Sequence, residues 1–285
     1  MNENLQLPTL PVNEWVAQAT AELTAVGIPS ARLDAELILA HTLRKNRSYL
    51  HAHPDAIIDD RQIEIANARL ALRLERVPVA YIIGHKEFYG RPFHVTSATL
   101  VPRPESEALI ELLKKVAPSN TQLLTEQPLT LVDVGTGSGI LGITAKLLYP
   151  ELDVTLLDIS RHALSVAEQN ARELHADVTV LRSDLLAGYP FTADIIIANL
   201  PYVDPEWERS PETNHEPAEA LFAAKHGLAL ILELLIQTKT GLARGGFLIL
   251  EADPEQHPAI IANAKQHGLV PVDSDGYGLA FQKLK

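Results

Sequence analysis

The chain holds 285 residues, 46% hydrophobic and 21% charged, with 24 Lys and Arg against 36 Asp and Glu for a formal net charge of −12. That is the composition of an ordinary globular protein, long enough for two domains that each bury a core, and it excludes disorder, collagen and coiled coil. Cysteine is absent, which rules out disulfides, thiolate metal sites and a cysteine nucleophile.

The opening MNENLQLPTLPVNEW has neither a basic start nor an apolar stretch. No run reaches the roughly 18–20 apolar residues that span a bilayer, so a cytoplasmic protein without membrane association is expected. Residues 101–285 hold 14 basic against 25 acidic residues, net −11, a poor surface for holding nucleic acid by phosphate neutralisation. Arg44 to Arg76 is mildly basic, with seven Arg and Lys against five Asp and Glu, and reads as a solvated helical face.

In chain order, Trp15 to Val26 places Val16, Ala19, Leu23 and Val26 at helical spacing and stops at Gly27-Ile28-Pro29. Ser30 is the expected N-cap of a second helix with Leu33, Leu37, Ile38, Ala40 and Leu43 on one side. Ile63 to Leu74 repeats the pattern at Ile63, Ala66, Leu70 and Leu74. The reading is a helical bundle over 1–78, followed by a β-hairpin linker over 79–101 carrying Tyr81-Ile82-Ile83-Gly84, Phe88-Tyr89-Gly90 and Phe93-His94-Val95.

Over 102–285 short apolar runs alternate with amphipathic stretches. Strands are expected at Leu129–Val134, Val154–Leu157, Val178–Leu181, Ile195–Ala198, Gly246–Glu251, Val270–Asp273 and Leu279–Lys283, with helices such as Ala163–Leu174 and Leu228–Leu242 between most of them. This spacing means an α/β fold with a mostly parallel, doubly wound sheet and ligands at the carboxyl ends of its strands. Ser274-Asp275-Gly276 is too short for a crossover, so the last two strands should pair antiparallel.

The first strand runs into Gly135-Thr136-Gly137-Ser138-Gly139, where glycines let the backbone approach a ligand at a helix start. The spacing is not that of a dinucleotide loop, and the lysine of a P-loop is missing. Asp158, 21 residues after Gly137 and ending the second strand, can accept both hydroxyls of a ribose, or cap the next helix, a task also open to Ser160. Asp184, ending the third strand region, is a candidate for the adenine end of the same ligand. The fourth strand opens into Asn199-Leu200-Pro201-Tyr202. Pro201 biases Leu200 to extended backbone, so the Asn199 side-chain oxygen and the Leu200 carbonyl can each accept one N–H of a planar NH2 while the Tyr202 ring packs against its plane; the alternative is a plain turn that ends a strand.

These residues resemble the motifs of class I S-adenosylmethionine-dependent methyltransferases that act on planar nitrogen. More narrowly, Leu100-Val101-Pro102-Arg103-Pro104-Glu105-Ser106-Glu107, the upstream linker, Glu216-Pro217, Ala220-Leu221, Gly227-Leu228 and Gly245-Gly246-Phe247-Leu248-Ile249-Leu250-Glu251 resemble the HemK/PrmC family of protein-glutamine methyltransferases. The resemblance implies a Rossmann-like seven-stranded sheet with its last strand antiparallel and a substrate-docking N-terminal bundle. It also implies S-adenosylmethionine as cofactor and class I peptide-chain release factors as partners, methylated on the side-chain amide nitrogen of the Gly-Gly-Gln glutamine. It assigns cofactor contacts to Gly135, Thr136, Gly137, Ser138, Gly139, Asp158, Asp184, Leu185 and Asn199, and substrate contacts and chemistry to Asn199, Leu200, Pro201 and Tyr202.

Two positions depart from the family pattern: Leu200 replaces a proline, and Leu279 stands near a usual arginine. Leu185 stands where members can carry an aromatic residue. A ribosomal-protein glutamine methyltransferase, an RNA adenine methyltransferase sharing the Asn-Leu-Pro-Tyr spelling, and an inactive cofactor-binding scaffold are the alternatives. No metal site and a monomer are expected; His51 and His53 lack ligand spacing and read as surface residues. Glu105 and Glu107 either fix the linker over the cofactor or merely favour a helix start.

Overall fold

A computed structural model describes residues 10–116 and 128–284; the opening MNENLQLPTLPVNEW lies partly outside them. The chain divides into two compact units, Met1–Gly84 and His85–Lys285.

The first unit is built from α1 (Val12–Ala25), α2 (Ala31–Leu43), α3 (Arg47–Ala52), α4 (Asp60–Leu74) and α5 (Val79–Ile83), with a two-residue strand pair of β1 (Leu10–Pro11) and β2 (Ile57–Ile58). Val12, Trp15, Ala19 and Leu23 form the buried stripe of α1. Helix α4 starts on a capping box, in which Asp59 and Gln62 each take the other's backbone N–H. Ser30 is the N-cap residue of α2, yet its hydroxyl donates to the Asp34 carboxylate instead of accepting from the helix backbone.

Three expectations need correction here. Leu33 is exposed, and the buried face of α2 includes Asp34, whose carboxylate takes Arg73 Nε of α4 at 2.7 Å. The basic stretch is therefore not only a solvated face: Arg73 is buried by its partner, and Arg47 holds the buried Glu36 at 2.6 Å. Tyr81-Ile82-Ile83-Gly84 is helix rather than hairpin. Pro78 enters it and left-handed Gly84 ends it, while Ala80 and Ile83 bury the same side, which overrides the β-branched composition.

The second unit opens with the hairpin of β3 (His85–Phe88) and β4 (Arg91–His94), closed by Tyr89-Gly90, both at positive φ. After a short 3₁₀ turn (Pro104–Ser106) come α6 (Glu107–Val116), β5 (Thr130–Val134), α7 (Ile140–Leu148), β6 (Asp153–Asp158), α8 (Arg161–Glu173), β7 (Thr179–Arg182) and β8 (Ala193–Ala198). A second 3₁₀ turn (Pro211–His215) leads to α9 (Ala218–Leu221), α10 (Ala229–Gly241), β9 (Leu242–Glu251), α11 (His257–Gln266), β10 (Leu269–Asp275) and β11 (Gly278–Lys283).

Among the described residues seven strands form one sheet in the order β10-β11-β9-β8-β5-β6-β7, and β11 alone runs antiparallel to its neighbours. The alternation of side chains along each strand feeds two cores. Val132, Val134, Ile196 and Leu248 pack towards α10 and α11, whereas Leu131, Ile195, Ile197 and Ile249 pack towards α6, α7 and α8. Burial on both faces explains why these strands read as continuous apolar runs. Strand β5 sits between β6 and β8, so chain order reverses there and opens a crevice at the strands' carboxyl ends.

Candidate functional site

The loops after β5, β6, β7 and β8 converge on one cavity of about 260 Å³. Gly135, Gly137, Asp158, Asp184, Leu185, Asn199, Leu200 and Pro201 line it, joined by Ala98–Leu100 from the hairpin linker and by Pro217, Glu219 and Ala220 around α9.

The glycine loop is held from below. Thr136 N–H donates to the Leu157 carbonyl at 2.8 Å. The Thr136 hydroxyl and Gly142 N–H both donate to Asp133 Oδ2, at 2.6 and 2.8 Å. Asp133 is fully buried, and burial pushes its carboxyl up to about 6 against these two hydrogen bonds. Asp158 accepts Gly137 N–H on Oδ2 at 2.9 Å and Ser160 N–H on Oδ1 at 2.8 Å, joining the first two loops. Its carboxyl is raised by burial and lowered by those N–H groups. Ser160 itself caps α8 through Ala163 N–H, which frees Asp158 for the cavity.

Not every residue expected at the cofactor lines the space. Thr136 and Ser138 are buried beneath the loop; the Ser138 carbonyl accepts from Asn170 Nδ2 at 2.8 Å, and Asn170 also binds the backbone of His94 through both ends of its amide. Gly139, at φ +87°, starts α7 with no room for a Cβ against Ile143. Tyr202 likewise stands behind the cavity wall: its hydroxyl donates to Glu251 Oε1 at 2.9 Å, and its carbonyl accepts from Gln256 Nε2 at 2.9 Å.

Asn199 lines the cavity, and its Nδ2 donates to Ser106 Oγ at 2.9 Å. The amide thus has its donor end engaged and its Oδ1 left as acceptor. Arg103 pairs with the buried Glu216, which also accepts Val101 N–H at 3.0 Å, tying the linker to the α9 segment over the cavity. Sequence reasoning named Glu216 and Ser106 only as part of a resemblance; the interactions that use them span 113 and 93 residues. Glu105 and Glu107 divide: Glu107 accepts Tyr89 N–H at 3.0 Å and so fixes the hairpin, while Glu105 lies near enough to Glu251 and Tyr202 to oppose their ionisation.

A nucleoside-bearing cation suits this cavity. Carboxylates of Asp158, Asp184 and Glu219 line it beside the apolar Ile159, Leu185 and Leu230. Gly137, at φ +56°, leaves open space where a side chain would stand. Ile159 is 55% exposed, an apolar side chain held at the rim of a cleft that a flat base can cover.

Comparison with known proteins places the chain in a class first. The description "Methyltransferase small domain" matches residues 106–224, and "PrmC N-terminal domain" matches residues 14–84. A crystal structure of a methyltransferase from Pyrococcus furiosus shares the fold, with 17% identity, a TM-score of 0.51 and coverage of 77% of this chain and 98% of that one. The protein is a methyltransferase, with S-adenosylmethionine as its cofactor.

Release factor glutamine methyltransferase of Deinococcus radiodurans is 34% identical over 91% of this chain and 92% of its own length. The protein of that name from Koribacter versatilis is 38% identical over 83% and 86%. The chain belongs to the release factor glutamine methyltransferase family.

Proposed function

We propose that the enzyme transfers a methyl group to the side-chain amide nitrogen of the glutamine in the Gly-Gly-Gln motif of class I peptide-chain release factors, in the cytoplasm and as a monomer. The observation that carries this reading is Asn199, which lines the cavity with its Nδ2 engaged by Ser106. An amide nitrogen is planar and poorly nucleophilic, so catalysis consists largely of holding it with its lone pair towards the methyl carbon. Asn199 Oδ1 accepts one N–H of the glutamine and the Leu200 carbonyl the other, while Pro201 stiffens the turn between them and Tyr202.

S-adenosylmethionine, when bound, supplies an already activated methyl group on a sulfonium, so the protein needs no nucleophile of its own. Asp158 would take the ribose hydroxyls, and Asp184 and Leu185 the adenine side. The Gly135-to-Gly139 loop lets the backbone approach the cofactor. The substrate amide loses its proton to solvent after transfer.

The test is mass spectrometry of methyl transfer to a purified class I release factor, with its Gly-Gly-Gln glutamine changed to alanine as control and a ribosomal RNA fragment and ribosomal proteins as competing substrates. One methyl on that glutamine, absent from the control and lost in Asn199→Ala, is expected. Methylated adenine in the RNA, or methyl on a ribosomal-protein glutamine alone, would overturn it.

A further inference from the structure

Behind Asn199 lies a polar cluster that the transfer reaction described above does not use. Ser106, from the turn before α6, is fully buried and accepts the Asn199 Nδ2–H at 2.9 Å. Glu251, at the end of β9, is 1% exposed; its Oε1 accepts the Tyr202 hydroxyl at 2.9 Å, and its Oε2 has no hydrogen-bond partner. Burial raises the Glu251 carboxyl, while the polar Ser106, Tyr202 and Asn199 beside it lower it. A buried carboxylate with an orphan oxygen costs stability, and packing alone would be better served by an apolar residue at this position.

An asparagine amide has two ends of nearly equal shape and opposite polarity. With Ser106 Oγ accepting from Nδ2 at 2.9 Å and the Glu251 carboxyl a neighbour on the same side, the amide has one favourable orientation. The flipped form would set Oδ1 against a buried negative charge. The same carboxylate holds the hydroxyl of Tyr202, three residues along the turn.

We propose that Glu251 is the positioning residue of the transfer site: acting with Ser106, it fixes the Asn199 amide with Oδ1 towards the substrate and anchors the far end of the turn through Tyr202. The proposal rests on the reading of Asn199 as the acceptor of the substrate amide. Glu251 touches no reacting atom; its effect passes through Asn199 and Tyr202. Glu251→Gln is the informative change, since it keeps the shape and adds an NH2 that competes with Asn199 for Ser106 and turns a donor towards Tyr202.

Two readouts test it on the full-length enzyme. In steady-state transfer to the release factor, Glu251→Gln should lower kcat on the order of 10–100-fold, the scale of a slightly misplaced reacting group. S-adenosylmethionine affinity by calorimetry and the thermal midpoint should stay near wild type. By NMR of the side-chain NH2 groups, with Asn199 assigned by its loss in Asn199→Ser, the Asn199 pair should be protected from hydrogen exchange in the wild type and lose that protection in Glu251→Gln. Ser106→Ala should act in the same direction, and Ser106→Thr, which keeps the hydroxyl, should restore both. Unchanged kcat with unchanged protection would overturn the proposal. So would a fall in cofactor affinity and thermal midpoint that matches the fall in kcat. If the wild-type enzyme leaves the Gly-Gly-Gln glutamine unmodified, the functional reading fails, and the exchange measurement alone decides whether Glu251 orients Asn199.

Discussion

The Leu200 side chain occupies the ground that a Cβ on Gly135 would need: its Cδ2 lies 2.8 Å from that point. Leu200 is buried in the core beneath the β8 turn, and Gly135 adopts φ +71°, so the two cofactor-side loops fit because one gives up its side chain to the other. Leu200 thereby locks the turn by packing. Gly135→Ala should lose about 1–3 kcal/mol of stability from the left-handed backbone and the clash. Leu200→Ala removes the clashing atoms, so chemical denaturation of the double variant should give a loss smaller than the sum of the two singles; simple additivity would show that the loops do not press on each other.

Gly227 poses the same problem on the other flank of the turn. A Cβ there would fall 1.9 Å from the Tyr202 carbonyl oxygen and 2.6 Å from Gln256 Nε2, which itself donates to the carbonyls of Tyr202 and His226 at 2.9 and 2.8 Å. Gly227→Ala must therefore displace the Asn199–Tyr202 turn. Single-turnover methyl transfer should slow on the order of 100-fold, and the cofactor dissociation constant should rise by a smaller factor, because Asn199, Leu200 and Pro201 of the displaced turn line the cavity. An unchanged transfer rate would show that the turn absorbs the added methyl group without moving.

Asp133 makes stability depend on pH in a defined direction. Its carboxyl titrates at about 6 in the fold, raised by burial from 3.8. Between those values the folded state binds a proton that the unfolded state has released, so this residue's contribution to stability falls as pH rises from about 4 to 6 and is constant above. The whole effect is on the order of 3 kcal/mol. Asp133→Asn puts an NH2 at the unpartnered Oδ1 position, so its absolute stability is not the readout. The slope is: thermal midpoints of wild type and variant, compared from pH 4 to 7, should diverge only within that window, and parallel curves would refute the assignment.

What the sequence made legible follows from how far apart the interacting residues lie. The strands of the sheet are apolar runs bounded by turns, and the Gly135-to-Gly139 loop, Asp158 and Asn199 each end one of them, so strand ends and cleft residues could be read together. The Tyr81–Gly84 segment misled because β-branched composition outweighed a five-residue helix whose only signals are Pro78 and Gly84. Glu251, Gln256 and Asp133 were invisible as site residues. Glu251 and Gln256 find their partners 30 to 54 residues away in sequence, while Asp133 takes Thr136 and Gly142 of its own loop, a use that no apolar pattern signals. Leu33 was placed on the buried side of α2 because an apolar stripe was sought, whereas the buried side is partly an ion pair.

That ion pair, Asp34 with Arg73, joins α2 to α4 with both side chains about 95% buried. Removing one partner strands the other charge in the core, so Arg73→Leu should cost about 3–5 kcal/mol. Adding Asp34→Leu should recover most of it, since two apolar residues of similar volume satisfy a buried site without desolvating charge. Denaturation of the full chain followed by a signal local to Trp15, which packs in this core, measures both. A double variant no more stable than Arg73→Leu would mean that the pair supplies binding geometry which packing cannot replace.

Asp158 separates two ways in which a carboxylate can serve this cofactor. Its oxygens already accept Gly137 N–H and Ser160 N–H, and its remaining lone pairs face the cavity it lines. As a ribose ligand it interacts with hydroxyls common to S-adenosylmethionine and the demethylated product, so Asp158→Asn should weaken both by a similar factor, about 10–100-fold for the loss of charged hydrogen bonds. As a counter-charge to the sulfonium it would matter for the cationic donor and hardly for the neutral thioether. Calorimetry with the two ligands distinguishes the cases: equal factors support the ribose role, and a loss confined to S-adenosylmethionine assigns Asp158 to the charge. Asp158→Ala also removes the link between the first two loops, so it should weaken both ligands further than Asp158→Asn does.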